Sequence, residues 1–239
     1  LLDESDQLAN KYCLLAGEKL SAKLWSVCGK ANENNNEYYV GYGPTETTVI
    51  VSASKINCKD SQHIGKLFPC VSAQVLDKRG VALSDGMQGE LILGGSLVSL
   101  GYWNNPRLTA QQFIPDATSQ IPGRRAYCSG DIVVRSPGGH YHFIARNDRQ
   151  VKINGHRVEL GEIEQYLVQY ENIDSAVVKY AMVKEKELLI AYYVRKSNAV
   201  VNVENLKEWL EKNGLAVYMI PQHYMEIDSL PLTANGKLD

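Results

Sequence analysis

The chain has 239 residues, of which 44% are hydrophobic and 22% charged, with a formal net charge of −2 at pH 7. This length accommodates one large domain or two smaller ones, and the near-neutral charge gives no electrostatic ground for nucleic acid or an anionic membrane as the main partner. The longest apolar run, "LLIAYYV" at 188–194, is far too short to span a bilayer.

The opening "LLDESDQLAN" is acidic, shows no secretory pattern and has no initiator methionine, so the chain is expected to be a fragment. Cys13, Cys28, Cys58, Cys70 and Cys128 are odd in number, widely spaced and free of any CxxC pair. That usage predicts reduced thiols in a cytoplasmic setting, and speaks against a disulfide scaffold or zinc. His140 and His142 alternate along a predicted strand and are expected to be surface histidines.

Taken in order, "KYCLLAG" predicts a buried strand ending at Gly17, and "EKLSAKLWSVCGKA" a helix with Leu20, Leu24, Val27 and Cys28 on one face. A strand, the turn "GYGPTE" and a second strand "TTVIVSAS" follow, and this β-α-β order implies a parallel sheet. From about Gln62 to Phe143 the short segments "SAQVLD", "GELILGG", "DIVVRS" and "HYHFIA" predict an antiparallel, barrel-like sheet. "NPRLTAQQF" within it predicts one short helix begun by a proline. Beyond it, "QVKINGHRV" predicts a hairpin, and "LGEIEQYLVQY" a helix burying Leu160, Ile163, Leu167 and Tyr170. "SAVVKYAMV" and "ELLIAYYV" predict two strands, and "NVENLKEWLEKNG" a helix stopped by Gly214. The fold class is therefore mixed. The end of a parallel α/β sheet and a barrel-like antiparallel sheet occupy 1–147, and a compact α+β module occupies 148–239.

Singly, the motifs are weak. "GYGPTE" alone reads as a strand-terminating turn, "GEL" and "SGD" are commonplace, and "NGK" is usually a solvated turn. In order, however, "GYGPTETT", "GELILGGSLVSLGYWNNPRLTAQQF", "YCSGD", "ARNDRQVKINGHRVELGEIE", "YMIP" and "LPLTANGKLD" resemble the successive core motifs of nonribosomal peptide synthetase adenylation domains. These belong to the adenylate-forming superfamily. The resemblance implies ATP-dependent activation of an amino acid as its adenylate, with ATP and Mg²⁺, and transfer to the phosphopantetheine thiol of a downstream carrier domain. It also implies that 1–147 is the C-terminal portion of a large lobe and 148–239 its lid. A Ser/Thr/Gly-rich phosphate loop and an aspartate for the substrate's amino group, both expected upstream, are not in this sequence. The N-terminal half of the domain is thus expected to lie elsewhere, leaving the isolated chain inactive.

By the same resemblance, Thr45 would bond phosphate, Glu46 would hold Mg²⁺ and Tyr42 would lie on adenine, with Gly17, Glu18 and Gly43 nearby. Asp131 would accept the ribose hydroxyls and Arg146 would add a contact to the same sugar; the alternative is a plain salt bridge on a barrel rim, which the motif order disfavours. Asp148 would be the hinge, and Lys237 the lysine that reaches the reacting groups. Leu14, Ala16, Gly41, Val49 and Ile50 would line a pocket favouring an apolar amino acid side chain. Val40, Leu100, Ser129, Ala145 and Asn154 depart from the family's usual residues. An acyl- or aryl-CoA ligase and a non-catalytic binding module are the alternatives.

Overall fold

The computed structural model describes residues 12–32, 37–153, 155–184, 186–197 and 199–231. The chain divides into two compact units, Leu1–Asp148 and Arg149–Asp239.

The first unit opens with β1 (Tyr12–Leu15), α1 (Ala22–Asn32) and β2 (Glu37–Tyr42), followed by β3 (Ser52–Lys55) and β4 (Lys66–Leu67). β1 and β2 are parallel, as the β-α-β order requires, whereas β2 and β3 are antiparallel. The sheet is therefore mixed, in the order β1-β2-β3-β4. The helix begins later than its periodicity suggests, because Ser21 accepts the Leu24 N–H through its hydroxyl at 3.2 Å and so marks the N-terminus. Trp25, Cys28, Tyr38, Val40 and Ile56 form the core beneath it. Asn32 seals its end, donating to the carbonyls of Tyr38 and Ile56 at 3.1 and 2.6 Å.

β5 (Val71–Leu76), β6 (Gln88–Gly95), α2 (Pro106–Gln112), β7 (Phe113–Pro115), β8 (Arg125–Arg135) and β9 (Tyr141–Arg146) complete the unit. Asn105 caps α2 by accepting the Leu108 N–H at 3.0 Å, with Pro106 in the first turn where its missing N–H costs nothing. The strands form a five-stranded sheet in which β7 and β9 share one edge of the long β8. Among the described residues this sheet does not close into a barrel. Val51, Val75, Leu91, Leu93, Val133 and Tyr141 make its apolar core.

The second unit comprises the hairpin β10 (Gln150–Ile153) and β11 (His156–Glu159), α3 (Leu160–Gln169), β12 (Ile173–Val183), β13 (Lys186–Arg195), α4 (Val203–Lys212) and β14 (His223–Glu226). Leu160, Ile163 and Leu167 of α3 and Leu206 and Leu210 of α4 share a core with Val178, Leu189 and Ala191 of the sheet. Tyr170, expected on the buried face of α3, is its C-cap and only half-buried. Asn202 caps α4 by accepting the Asn205 N–H at 3.0 Å, and Gly214 ends the turn at φ +97°. β14, which carries no alternation of its own, pairs parallel to β13.

The histidines depart from expectation. His63 is buried, its ring stacked on His140 at 4.5 Å and edge-on to Trp25 at 5.1 Å, with His142 at 6.2 Å. His140 and His142 are thus half-buried flanks of a cluster rather than surface residues. Burial, then the neighbouring imidazoles, pushes His63 from 6.5 down to about 4. The unfolded chain binds that proton near pH 6.5 and the folded chain only near pH 4. Stability is therefore full above the higher value and falls as pH drops through the window. His63→Gln should remove up to about 3 kcal/mol of this acid-side slope in urea titrations followed by tryptophan emission. In the second unit, Leu167→Ala should cost roughly 2–5 kcal/mol by cavity formation, read as a lowered urea midpoint.

Candidate nucleotide site

The strand β2 ends at Tyr42, and the chain turns through Gly43 and Pro44 into a single 3-10 turn, Thr45–Thr47. The second strand expected at "TTVIVSAS" is delayed to Ser52 because Thr48 and Val49 sit at φ 60° and 71°. Branched side chains rarely adopt this left-handed conformation, which costs roughly 1–3 kcal/mol at each position. Its anchors are explicit. The Thr48 hydroxyl donates to the Leu97 carbonyl at 2.9 Å, and the Val51 N–H donates to the Tyr42 carbonyl at 2.8 Å. A Cβ on Gly43 would lie 2.4 Å from the Val49 carbonyl oxygen. Glycine is therefore needed at 43 so that the backbone of Val49 and Ile50 can pack against it.

The turn leaves Thr45 exposed and buries Glu46, which is 7% exposed. A buried carboxylate needs a partner; the loop after β6 supplies one and also holds the Glu46 backbone. The Tyr102 hydroxyl donates to Glu46 Oε1 at 2.6 Å, and the Ser99 N–H donates to the Glu46 carbonyl at 2.8 Å. Burial first, and then the bond to Glu46, raises the Tyr102 phenol far above its ordinary range, keeping it a donor. Its ring packs edge-on against Phe113 at 5.5 Å. Sequence reasoning missed Tyr102, although it stands in the motif run "LGYWNN".

"SGD", at the expected start of the strand "DIVVRS", lies inside β8 as a bulge. Glu90 faces Ile132 and Ile92 faces Cys128, so Ser129, Gly130 and Asp131 bulge out beside Leu91. Gly130 absorbs the kink at φ +72°, and the Ser129 hydroxyl ties it by donating to the Leu91 carbonyl at 2.6 Å. Bulges re-aim side chains; this one directs Asp131 toward Tyr42, whose hydroxyl donates to Oδ2 at 2.5 Å. The ladder sets Asp131 opposite Arg146 of β9, whose Nη1 donates to Oδ1 at 2.6 Å. Arg146 also forks onto Asp148, through Nε to Oδ1 at 2.7 Å and Nη2 to Oδ2 at 2.6 Å. Burial, then the Asp131 charge, raises the Tyr42 phenol well above its usual value. Tyr42, Asp131, Arg146 and Asp148 are thus one hydrogen-bonded chain.

Of the other expected positions, Leu14 and Ile50 close on Gly41, where a Cβ would lie 2.9 and 3.3 Å from their terminal methyls. Val49 is 67% and Leu14 52% exposed, while Ala16, Gly17 and Glu18 are exposed at the end of β1. Lys237 and Asn154 lie outside the described residues. No group of three or more His, Cys, Asp or Glu among the described residues is arranged to hold a metal.

The model of AMP-binding enzymes matches residues 3–103, and that of the AMP-binding enzyme C-terminal domain matches residues 162–237. Bacitracin synthase 3 of Bacillus licheniformis is 40% identical across 100% of this chain, which spans 4% of that protein. Tyrocidine synthase 3 of Brevibacillus parabrevis is 38% identical across 94% of this chain and 3% of its own length. Among solved structures, holo-PA1221, an NRPS protein containing adenylation and PCP domains bound to a vinylsulfonamide inhibitor, matches with a TM-score of 0.76. The identity is 26%, over 95% of this chain and 39% of that one. The amide bond synthetase McbA from Marinactinospora thermotolerans has a TM-score of 0.80 at 20% identity, over 95% and 44% of the two chains; this likeness shows the fold. The motif order, the two family models and the relatives agree: the chain belongs to the AMP-binding, adenylate-forming enzymes and is similar to the adenylation domains of peptide synthetases.

Proposed function

We propose that the chain contributes part of an adenylation site that activates an amino acid as aminoacyl-AMP and passes it to the phosphopantetheine thiol of a carrier domain, in the cytoplasm. The observation that carries this reading is the Tyr42–Asp131–Arg146 chain formed beside the Thr45–Glu46 turn. Asp131 is a carboxylate acceptor set for vicinal hydroxyls, and Tyr42 is an aromatic surface for a flat base. Thr45, exposed at the 3-10 turn, presents a hydroxyl donor for a phosphoryl oxygen.

The donor set fits Mg²⁺. This cation is commonly held by one or two carboxylates together with substrate phosphates, and Glu46 is a single buried carboxylate oriented by Tyr102. When bound, the ion would neutralise charge on the phosphoryl oxygens. Lys237 is proposed to bring a mobile point charge to the substrate carboxylate and phosphate, with Asp148 as the residue about which the lid, 148–239, turns. The phosphate loop and the remaining pocket walls are proposed to come from an N-terminal segment outside this sequence. Leu14, Gly41, Val49 and Ile50 favour an apolar amino acid, because a charged side chain would go unpaired against them.

The test is ATP–pyrophosphate exchange by a polypeptide joining this sequence to such a phosphate-loop segment. Exchange dependent on an apolar amino acid supports the proposal. Exchange driven only by fatty or aryl acids would assign a CoA-ligase branch, and no exchange with any acid would contradict adenylation. In the same enzyme Glu46→Gln should lower exchange about a hundredfold or more and shift its Mg²⁺ dependence upward. Tyr102→Phe keeps the ring and removes the hydroxyl that bonds Glu46. It should cost about tenfold, recovered in part by excess Mg²⁺; an unchanged Mg²⁺ profile would show that Tyr102 only packs.

A further inference from the structure

The "GEL" motif contributes more than a strand. Glu90 stands on β6 at the residue where the ladder to β8 shifts, and its two carboxylate oxygens are used separately. Oε1 accepts the Gly130 N–H at 3.0 Å, and Oε2 accepts the Asn147 side-chain amide at 2.8 Å. Gly130 in turn accepts the Asn147 N–H through its carbonyl at 2.8 Å. Arg146 binds the Ser129 carbonyl at 3.1 Å as well as both aspartates. A Cβ on Gly130 would lie 2.7 Å from both Arg146 Nη2 and Asp148 Oδ2. The bulge carrying Asp131 and the segment ending the first unit are therefore stapled together at several points, and Glu90 bridges the two.

The geometry points to Glu90 as a positioning residue that holds the Asp131 bulge and the Asn147–Asp148 junction as one piece, so that a ligand engaging Asp131 is felt at Asp148. This role differs from a direct contact to a ligand. Glu90 acts through Gly130 and Asn147, and Arg146 acts as a coupler between two carboxylates. An anionic acceptor suits it because one carboxylate can take two N–H donors at once, where a neutral side chain of the same length has a single acceptor oxygen. The ligand half of the inference rests on the reading of Asp131 as the ribose carboxylate; the staple itself does not.

Backbone amide exchange by NMR on the chain itself tests it. Glu90→Ala should speed exchange of the Asn147 N–H, which does not bond Glu90 directly, by about tenfold, while Leu91 and Leu93 hold. Glu90→Gln, which keeps the Gly130 bond and can regain the second by an amide flip, should stay within about threefold of the parent. Asn147→Ala combined with Glu90→Ala should add nothing to the single Glu90 change. Titration with AMP should perturb Asp131 and Asn147 together in the parent, with the Asn147 response clearly reduced in Glu90→Ala. An unmoved Asn147 amide in Glu90→Ala overturns the proposal. So does acceleration spread evenly over β6 and β8, which would make Glu90 merely structural. A parent in which AMP shifts Asp131 without Asn147 overturns the coupling. If AMP shifts neither, the nucleotide reading fails, and the exchange data still decide the staple.

Discussion

A buried negative charge at Asp131 is the constraint around which the first unit is arranged. With 6% of the residue exposed, the carboxylate is tolerable only if paired and hydrogen-bonded. The fold meets that demand from two directions. Tyr42 approaches at the end of the mixed sheet, and Arg146 lies opposite in the ladder between β8 and β9. Asp131 sits between them at the end of the Ser129–Gly130 bulge, so the register shift in β8 and the positive φ of Gly130 belong to the same arrangement. Removing Arg146 would strip a buried carboxylate of its cation, a loss far larger than that of an exposed ion pair.

Glu46 repeats the pattern on a smaller scale. Its side chain is buried in a turn made of strained, branched residues, and the loop 97–102 supplies the bonds that hold it. Strain of this kind persists where surrounding structure over-determines it. Here the anchors are the Leu97 carbonyl, the Ser99 N–H and the Tyr102 hydroxyl. The aromatic series Tyr102, Phe113 and Tyr127 then ties this loop to β7 and β8. The two carboxylates are thus served by the same five-stranded sheet.

Much of this was legible in the sequence because periodicity and turn chemistry are local. The β-α-β start, α2 begun by Pro106, the helices α3 and α4 and the β12–β13 pair all follow from apolar spacing and punctuation. What escaped depends on partners distant in the chain. β14 carries no alternation and exists because β13 offers an edge. "SGD" looks like a turn, and becomes a bulge only when β6 supplies too few residues opposite it. Thr48 and Val49 have high strand propensity, yet tertiary anchors force them into a left-handed turn. His63 gave no signal at all; its burial depends on Trp25 and on the two histidines of the β9 hairpin. The motif resemblance named Asp131, Arg146 and Glu46, whereas Tyr102 and Glu90, which hold them, emerge only from side-chain contacts.

We propose that the bulged carboxylate of Asp131 meets a nucleotide ribose. A crystal structure of this chain grown with a non-hydrolysable aminoacyl-adenylate analogue tests it most directly. Both ribose hydroxyls are expected at about 3 Å from the Asp131 carboxylate, with the base against Tyr42 and Arg146 still bridging Asp131 and Asp148. Analogue bound elsewhere on the chain, with Asp131 still enclosed by Tyr42 and Arg146, would contradict it.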